Sequence, residues 1–297
     1  MSKKFKNMIA FFSNVLKLIL RFMDFYKWFF LEEGRTPEGL FSFWHIFSVT
    51  ITLALFAFIA VYFAKKIKGE KGRNIFIGVM ALSIVMTQVT KFVYLWAPWE
   101  VENLTFARFW DVFIGNLPMY LCDMQLYVIP LAFFTRGRFR NWCFDFISIW
   151  GILMGVFGTY FAGNLYPSHC VISWSVINSL LNHSISFCTG IFIFVAGLNT
   201  MEKRNIPYVI SFLVVFMTTA LIIDYVDNHN FMFFFHGDGT PFDFFLNLVG
   251  RNLVLYQITI YILQCGYMGL FYLVYYLIKK QVDKKKTAKL ETENQAL

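Results

Sequence analysis

Seven stretches of about 20 or more mostly apolar residues, at 43–64, 74–98, 112–134, 141–162, 171–198, 206–226 and 252–278, constrain this chain more than any other feature. A helix that crosses the hydrocarbon core of a bilayer needs about 20 such residues. Short connections separate them, so no soluble domain fits between. Only 15% of the 297 residues are charged and 58% are hydrophobic, too little charge to coat a water-facing globule of this size. The pattern predicts an all-α, polytopic membrane helical bundle. It excludes a soluble enzyme, a disordered chain and a coiled-coil or collagen-like fibre.

The basic residues set an expected orientation. Lys65, Lys66, Lys68, Lys71 and Arg73 follow the first stretch, and Arg136, Arg138 and Arg140 the third. Lys203 and Arg204 follow the fifth, and six lysines from Lys279 onward follow the seventh. The alternate connections hold mainly Arg35 and Arg108, beside acidic residues such as Glu32, Glu100 and Asp227. The positive-inside rule then predicts a cytoplasmic C-terminus in the cell membrane. It also accounts for the net charge of +8 without invoking nucleic acid as a partner.

The organisation expected is an N-terminal helix over 1–31, a seven-helix domain over 32–280 and a charged tail over 281–297. In the first segment Asn14, Lys17, Arg21, Asp24 and Lys27 recur every three or four residues on one stripe. It lies either in the headgroup region or as an eighth span with that stripe toward the bundle. It starts with lysines but has neither an uninterrupted apolar run nor a small-residue cleavage site, so no cleavable signal is read there. The tail is read as frayed or disordered.

Polar groups inside apolar spans point to function by default, because hydrocarbon offers them no partner. The third stretch carries Asn116, Tyr120 and Asp123 on one helical face, with Cys122 beside it and Pro118 bending the helix. The fifth carries Ser175, Asn178, Ser179, Asn182, Ser186 and Thr189 on a broad stripe, with His183 adjacent at about the depth of Cys122. Asp243, Asn247 and Arg251, spaced by four, open the seventh, where Arg251 is expected to pair with Asp243, Asp224 or Asp123. Lys91 is a second expected partner for Asp123. His45 opens the first stretch at the same level, and 227–241, with Asn230, reads as a lid or re-entrant loop. Such stripes also pack helices together, so a purely structural role stands beside the functional one. The five cysteines show no CxxC or zinc spacing, and nucleotide, metalloprotease and nucleophile-elbow motifs are absent. No metal or other cofactor is expected.

Phe43-Trp44-His45, Leu117-Pro118-Met119-Tyr120-Leu121-Cys122-Asp123, Asn182-His183-Ser184 and Asn230-Phe231-Met232-Phe233, followed by Pro241 and a tyrosine-bearing last helix, resemble in sequence and order the YwaF family of bacterial integral membrane proteins. These are relatives of eukaryotic transmembrane protein 164. The resemblance runs from about residue 40 to residue 275 and implies a seven-helix bundle with its N-terminus outside. The eukaryotic branch acts on phospholipids as acyltransferases with a catalytic cysteine, a role that would fall here on Cys122, with His183 as base. The motif departs from the family at Tyr120, where a histidine is usual, and at Asn116, where an acidic residue is expected. Two functional classes stay open. One is cysteine-dependent acyl transfer between lipids. The other is a non-catalytic binding or transport protein whose His45, Asn116, Tyr120, Asp123, Asn182, Asn230 and Arg251 receive a small solute or lipid headgroup.

Overall fold

The computed structural model describes residues 21, 24–25, 27–29, 32, 34–95 and 113–295, with side chains described to residue 92 and, after 113, to residue 285. The helix expected over 1–31 lies outside them except at 21, 24–25 and 27–29, which are helical. Helix α1 is Phe43–Lys66, α2 is Glu70–Leu95 and α3 is Met124–Phe134. Helices α4 (Gly137–Phe146) and α5 (Ile152–Tyr160) are joined by one π turn, Ile147–Gly151, into a single crossing. Helix α6 is Trp174–Val195, α7 is Ile206–Asp227, α8 is Phe242–Leu248 and α9 is Leu253–Gln295. No strand occurs among the described residues.

Six of these segments are long and apolar enough to cross a membrane: Phe43–Lys66, Glu70–Phe92, Gly137–Tyr160, Trp174–Val195, Lys203–Asp227 and Leu253–Lys285. The all-helical multi-pass architecture is therefore as expected, with one correction to the count. The third stretch is not one continuous helix. It is helical at 113–115, non-helical over 116–120, and helical again only over Leu121–Phe134. Pro118 is the cause: it has no N–H to donate, and it drives the residue before it out of the α region.

Two further expectations change. Asp243 and Asn247 belong to the separate short helix α8, and the chain turns at Gly250 (φ 65°) and Arg251 (φ 58°) before α9 begins. The tail is helical through Gln295. Its Lys, Ala, Leu, Glu and Gln are good helix formers, and neither Gly nor Pro interrupts them.

Burial separates inner from outer helices. Sixty-one per cent of the apolar window is buried in both the α4–α5 crossing and α6, against 17% in α1. These two inner crossings meet at backbone distance. A Cβ on Gly151 would sit 2.5 Å from the Ser186 carbonyl oxygen, and one on Gly190 would sit 2.9 Å from that of Ile147. Small residues allow such close approach where lipid supplies no hydrophobic drive between helices. The outer helices α1, α2, α7 and α9 turn residues such as Phe58, Leu82, Val215 and Ile262 outward, so the protein presents an apolar belt to membrane lipid.

At the basic end, fully buried Asp145 accepts from the Thr200 N–H (2.7 Å) and hydroxyl (3.0 Å), the Met201 N–H (2.9 Å) and the Asn205 amide (3.0 Å). It thereby ties the α6–α7 connection to α4. At the other end, Glu32 accepts from the His169 ring (2.7 Å) and the Cys170 N–H, and Glu38 accepts from the Val171 N–H (2.8 Å). The Arg35 guanidinium donates to the Ile172 carbonyl (2.6 Å) and lies over Trp28. The N-terminal strap is thus laced to the start of α6.

Two predictions test these ties. Asp145→Ala orphans buried donors at about 1–3 kcal/mol each, so its unfolding midpoint in detergent should fall well below wild type, and that of Asp145→Asn should fall less. Burial alone would raise the Glu32 carboxyl above its ordinary 4.5, but the Cys170 N–H and the His169 ring hold it below. Its contribution is therefore complete above that ordinary value and is lost as pH falls through the lowered one. Hydrogen exchange at the Cys170 amide, normalised to the unstructured rate, should show protection disappearing over that acid window.

Candidate functional site

The break in the third segment builds the site. Tyr120 is extended (φ −74°, ψ 158°), and Leu121–Asp123 form a single 3₁₀ turn that leads into α3. Interrupting a helix at membrane depth frees backbone groups that hydrocarbon cannot satisfy. Here side chains satisfy two of them: the Trp150 indole N–H, projecting from the π turn, donates to the Leu121 carbonyl (3.3 Å), and the Gln88 amide donates to the Asn116 carbonyl (3.0 Å). The Cys122-bearing turn is therefore held from α2 and from the inner crossing at once.

Cys122 and Asp123 follow directly. The thiol donates to Asp123 Oδ1 at 3.9 Å, and Asn182 Nδ2 on α6 donates to the same oxygen at 3.0 Å. Because an ionised carboxylate only accepts, this contact fixes which way the Asn182 amide faces. Its Oδ1 is left buried with no partner among the described residues. Lys91 on α2 faces the same space as Cys122 and Asp123.

His183 is one residue further along α6 and is buried. Its ring occupies space that exists only because residue 158 is glycine: a Cβ there would sit 2.1 Å from His183 Cε1. The imidazole Nδ1 is buried with no partner among the described residues.

These groups share a cavity of about 580 Å³ bounded by α2, the broken segment, the α4–α5 crossing, α6, the 228–241 loop with α8, and α9. One wall is polar (Lys91, Asp123, Asn178, Asn182, His183 and Gln264), and aromatic rings such as Phe157, Phe161 and Phe245 form others. Both side-chain amide atoms of Gln264, and Asn178 Oδ1, are buried without a partner among the described residues. A cavity of this size, mostly apolar with a few convergent polar groups, is typical of a ligand site. Among the described residues no group of three or more His, Cys, Asp or Glu comes together as metal ligands would.

Of the sequence-derived candidates, Asn116, Tyr120, Cys122, Asp123, Asn182 and His183 line this cavity, and His45, Asn230 and Arg251 do not. His45 is buried elsewhere: Nδ1 accepts from the Phe41 N–H, Nε2 bonds the Thr159 carbonyl, and the ring lies 3.8 Å from that of Tyr166. It knits the entry of α1 to the end of α5. Asn230 is consumed by its own loop, donating to the His236 carbonyl and Asp238 and accepting from the Phe235 N–H.

Arg251 is exposed and donates to Asn247 (3.3 Å). The carboxylates expected to pair with it are engaged elsewhere: Asp243 with the Gly237 and Gly239 N–H groups, Asp224 with the Phe231 N–H, and Asp123 with Asn182. The loop reaches the site by another route, since the Tyr120 ring packs against Phe231 and Phe233, 5.4 and 6.0 Å away. Trp150 and Gly158, which set the thiol turn and the imidazole, escape sequence reasoning because nothing in their spacing marks an indole donor or a missing side chain.

Fold and site together define an α-helical multi-pass membrane protein with an intramembrane cavity at a broken helix. A model of the TMEM164 family matches residues 40–275, and the chain belongs to that family. No curated protein and no solved structure matches it.

Gly158→Ala should destabilise the protein by about 1–3 kcal/mol through overpacking. Most of that loss should be recovered in the Gly158→Ala/His183→Ala double variant, where the opposing ring is gone. Unfolding midpoints of the four proteins in the cycle measure the coupling.

Proposed function

We propose that this TMEM164-family protein transfers acyl groups between membrane lipids, with Cys122 as nucleophile and His183 as the group that moves the proton. The observation that carries this reading is that a thiol and an imidazole with an unpartnered ring nitrogen line the same amphiphilic cavity. A thiol is an effective nucleophile only as thiolate, so a nearby base is essential. The thiol turns from Asp123 toward the imidazole, which takes its proton. The thiolate attacks the ester carbonyl of a donor lipid, the ester C–O bond breaks, and the imidazolium returns the proton to the leaving alkoxide. The acyl group is then a thioester on Cys122. A hydroxyl of an acceptor lipid gives its proton to the imidazole and attacks that thioester, the thiolate leaves, and the new ester departs.

A second reading has its own support. The unpartnered atoms of Asn178, Asn182 and Gln264 suit recognition of a small solute or lipid headgroup without chemistry. Under either reading, the distribution of lysine and arginine supports a C-terminus on the cytoplasmic side of the cell membrane.

The test uses the full chain in vesicles that carry a phospholipid with a labelled acyl group. Wild type should form a hydroxylamine-labile adduct at Cys122 and transfer label to a lysolipid. Cys122→Ala should abolish both, and His183→Ala should slow transfer by about 10²–10⁴-fold. Transfer that survives Cys122→Ala overturns the proposal. Wild-type lipid retention with no thioester at any time overturns it in favour of the binding reading.

A further inference from the structure

A second concavity lies on the outside of the bundle, at its basic end and away from the central cavity. This groove of about 630 Å³ has Ile75, Val79, Leu82 and Phe133 as its apolar lining, with Glu70, Lys71 and Asn74 at its rim. Gly78 makes its floor: the Phe133 ring of α3 lies where a side chain would be, since a Cβ on Gly78 would come within 2.7 Å of it. Lys71, Ile75, Gly78 and Leu82 follow one another at helical spacing on α2, so the groove runs along that helix rather than across it.

Its dimensions and charge fit one kind of occupant. From Lys71 to Leu82 the helix rises about 16 Å at 1.5 Å per residue, close to the ~15 Å depth of one leaflet's hydrocarbon. An acyl chain of the leaflet at the basic end can therefore lie in the groove along its length, and the rim is where its headgroup would be. That rim is positive. Arg140 is anchored to the rim residue Asn74, lies 4.0 Å from Glu70 and stacks over Phe144. The Glu70 carboxylate is thus opposed by Arg140, and the charge of Arg136 adds to that of Arg140. Among the described residues the Lys71 ammonium makes no hydrogen bond or ion pair. Basic pockets between membrane helices recognise anionic headgroups in this way, whereas the bias that orients a membrane protein requires positive loops but no groove beneath them.

We propose that this groove is a binding site for an anionic phospholipid of the surrounding bilayer, with one acyl chain along Ile75, Gly78 and Leu82 and the phosphate at Lys71. The site is independent of the chemistry proposed for the central cavity.

Native mass spectrometry of the full-length protein in mild detergent, with phosphatidylglycerol and phosphatidylcholine of identical chains added, tests it. Wild type should retain phosphatidylglycerol in preference to phosphatidylcholine. Lys71→Gln should lower that preference about fivefold, the contribution of one surface lysine, and Lys71→Arg should keep it. Ile75 faces outward and is 58% exposed, so Ile75→Trp fills the groove without touching the core and should reduce retention of both lipids. Equal retention of the two lipids by wild type, or an unchanged preference in Lys71→Gln, overturns the proposal. So does retention that falls with a cavity-filling Ser179→Phe but not with Ile75→Trp, because the lipid would then occupy the central cavity.

Discussion

The hydrogen bond from Trp150 to the Leu121 carbonyl is the contact on which the rest of the site depends. A helix interrupted at membrane depth is tolerable only where protein replaces the missing backbone partners. The indole that does so comes from a π turn whose five residues are all buried, and that turn is pressed against α6 by the glycine contacts at positions 151 and 190. The close packing of two inner crossings thus fixes the turn that carries Cys122. The nucleophile candidate belongs to the broken segment, but its position is set by helices that come later in the chain.

Asp123 links the two halves of the cavity. It accepts from the thiol on its own turn and from Asn182 on α6, so the carboxylate holds the broken segment to the helix that bears the imidazole. One buried carboxyl group serves as fastening and as part of the lining. The 228–241 loop has a comparable internal economy: Asn230 and Asp243 bind its backbone from within, which lets it roof the cavity with Phe233, Thr240 and Pro241.

Much of the architecture was legible in the sequence because length and apolarity are what a bilayer selects. Six spans appear where the hydropathy places them, and Pro118 marked the disturbed segment. The sequence leaves its consequence open: a proline in a span can bend a helix or break it, and the difference lies in whether neighbours such as Trp150 and Gln88 can take up the freed carbonyls. The polar residues of the third and fifth stretches stand out in the sequence because intramembrane polarity is costly, and Asn116, Tyr120, Asp123, Asn182 and His183 among them line one cavity. His45, Asn230 and Arg251 looked equivalent by the same criterion and are not. Each lies near a helix end or in a loop, where backbone groups need partners, and in this fold two of those side chains answer backbone needs while the third faces outward. Sequence cost alone cannot separate a group that serves a ligand from one that serves the chain.

The π turn has one more consequence, for register. It accommodates a residue beyond the α-helical repeat, and one residue corresponds to about 100° of rotation at 3.6 residues per turn. Everything after Ile147–Gly151 in that crossing, including Gly158, is therefore rotated relative to the face that α4 presents. Deleting one residue to trim the turn back to a regular helix would remove a single side chain and leave the apolar character of the crossing unchanged. It would also swing the gap at Gly158 away from His183 and replace it with a neighbour's side chain. The cavity is phased as well as lined, and its tolerance to a single-residue deletion in this crossing is set by rotation rather than by composition.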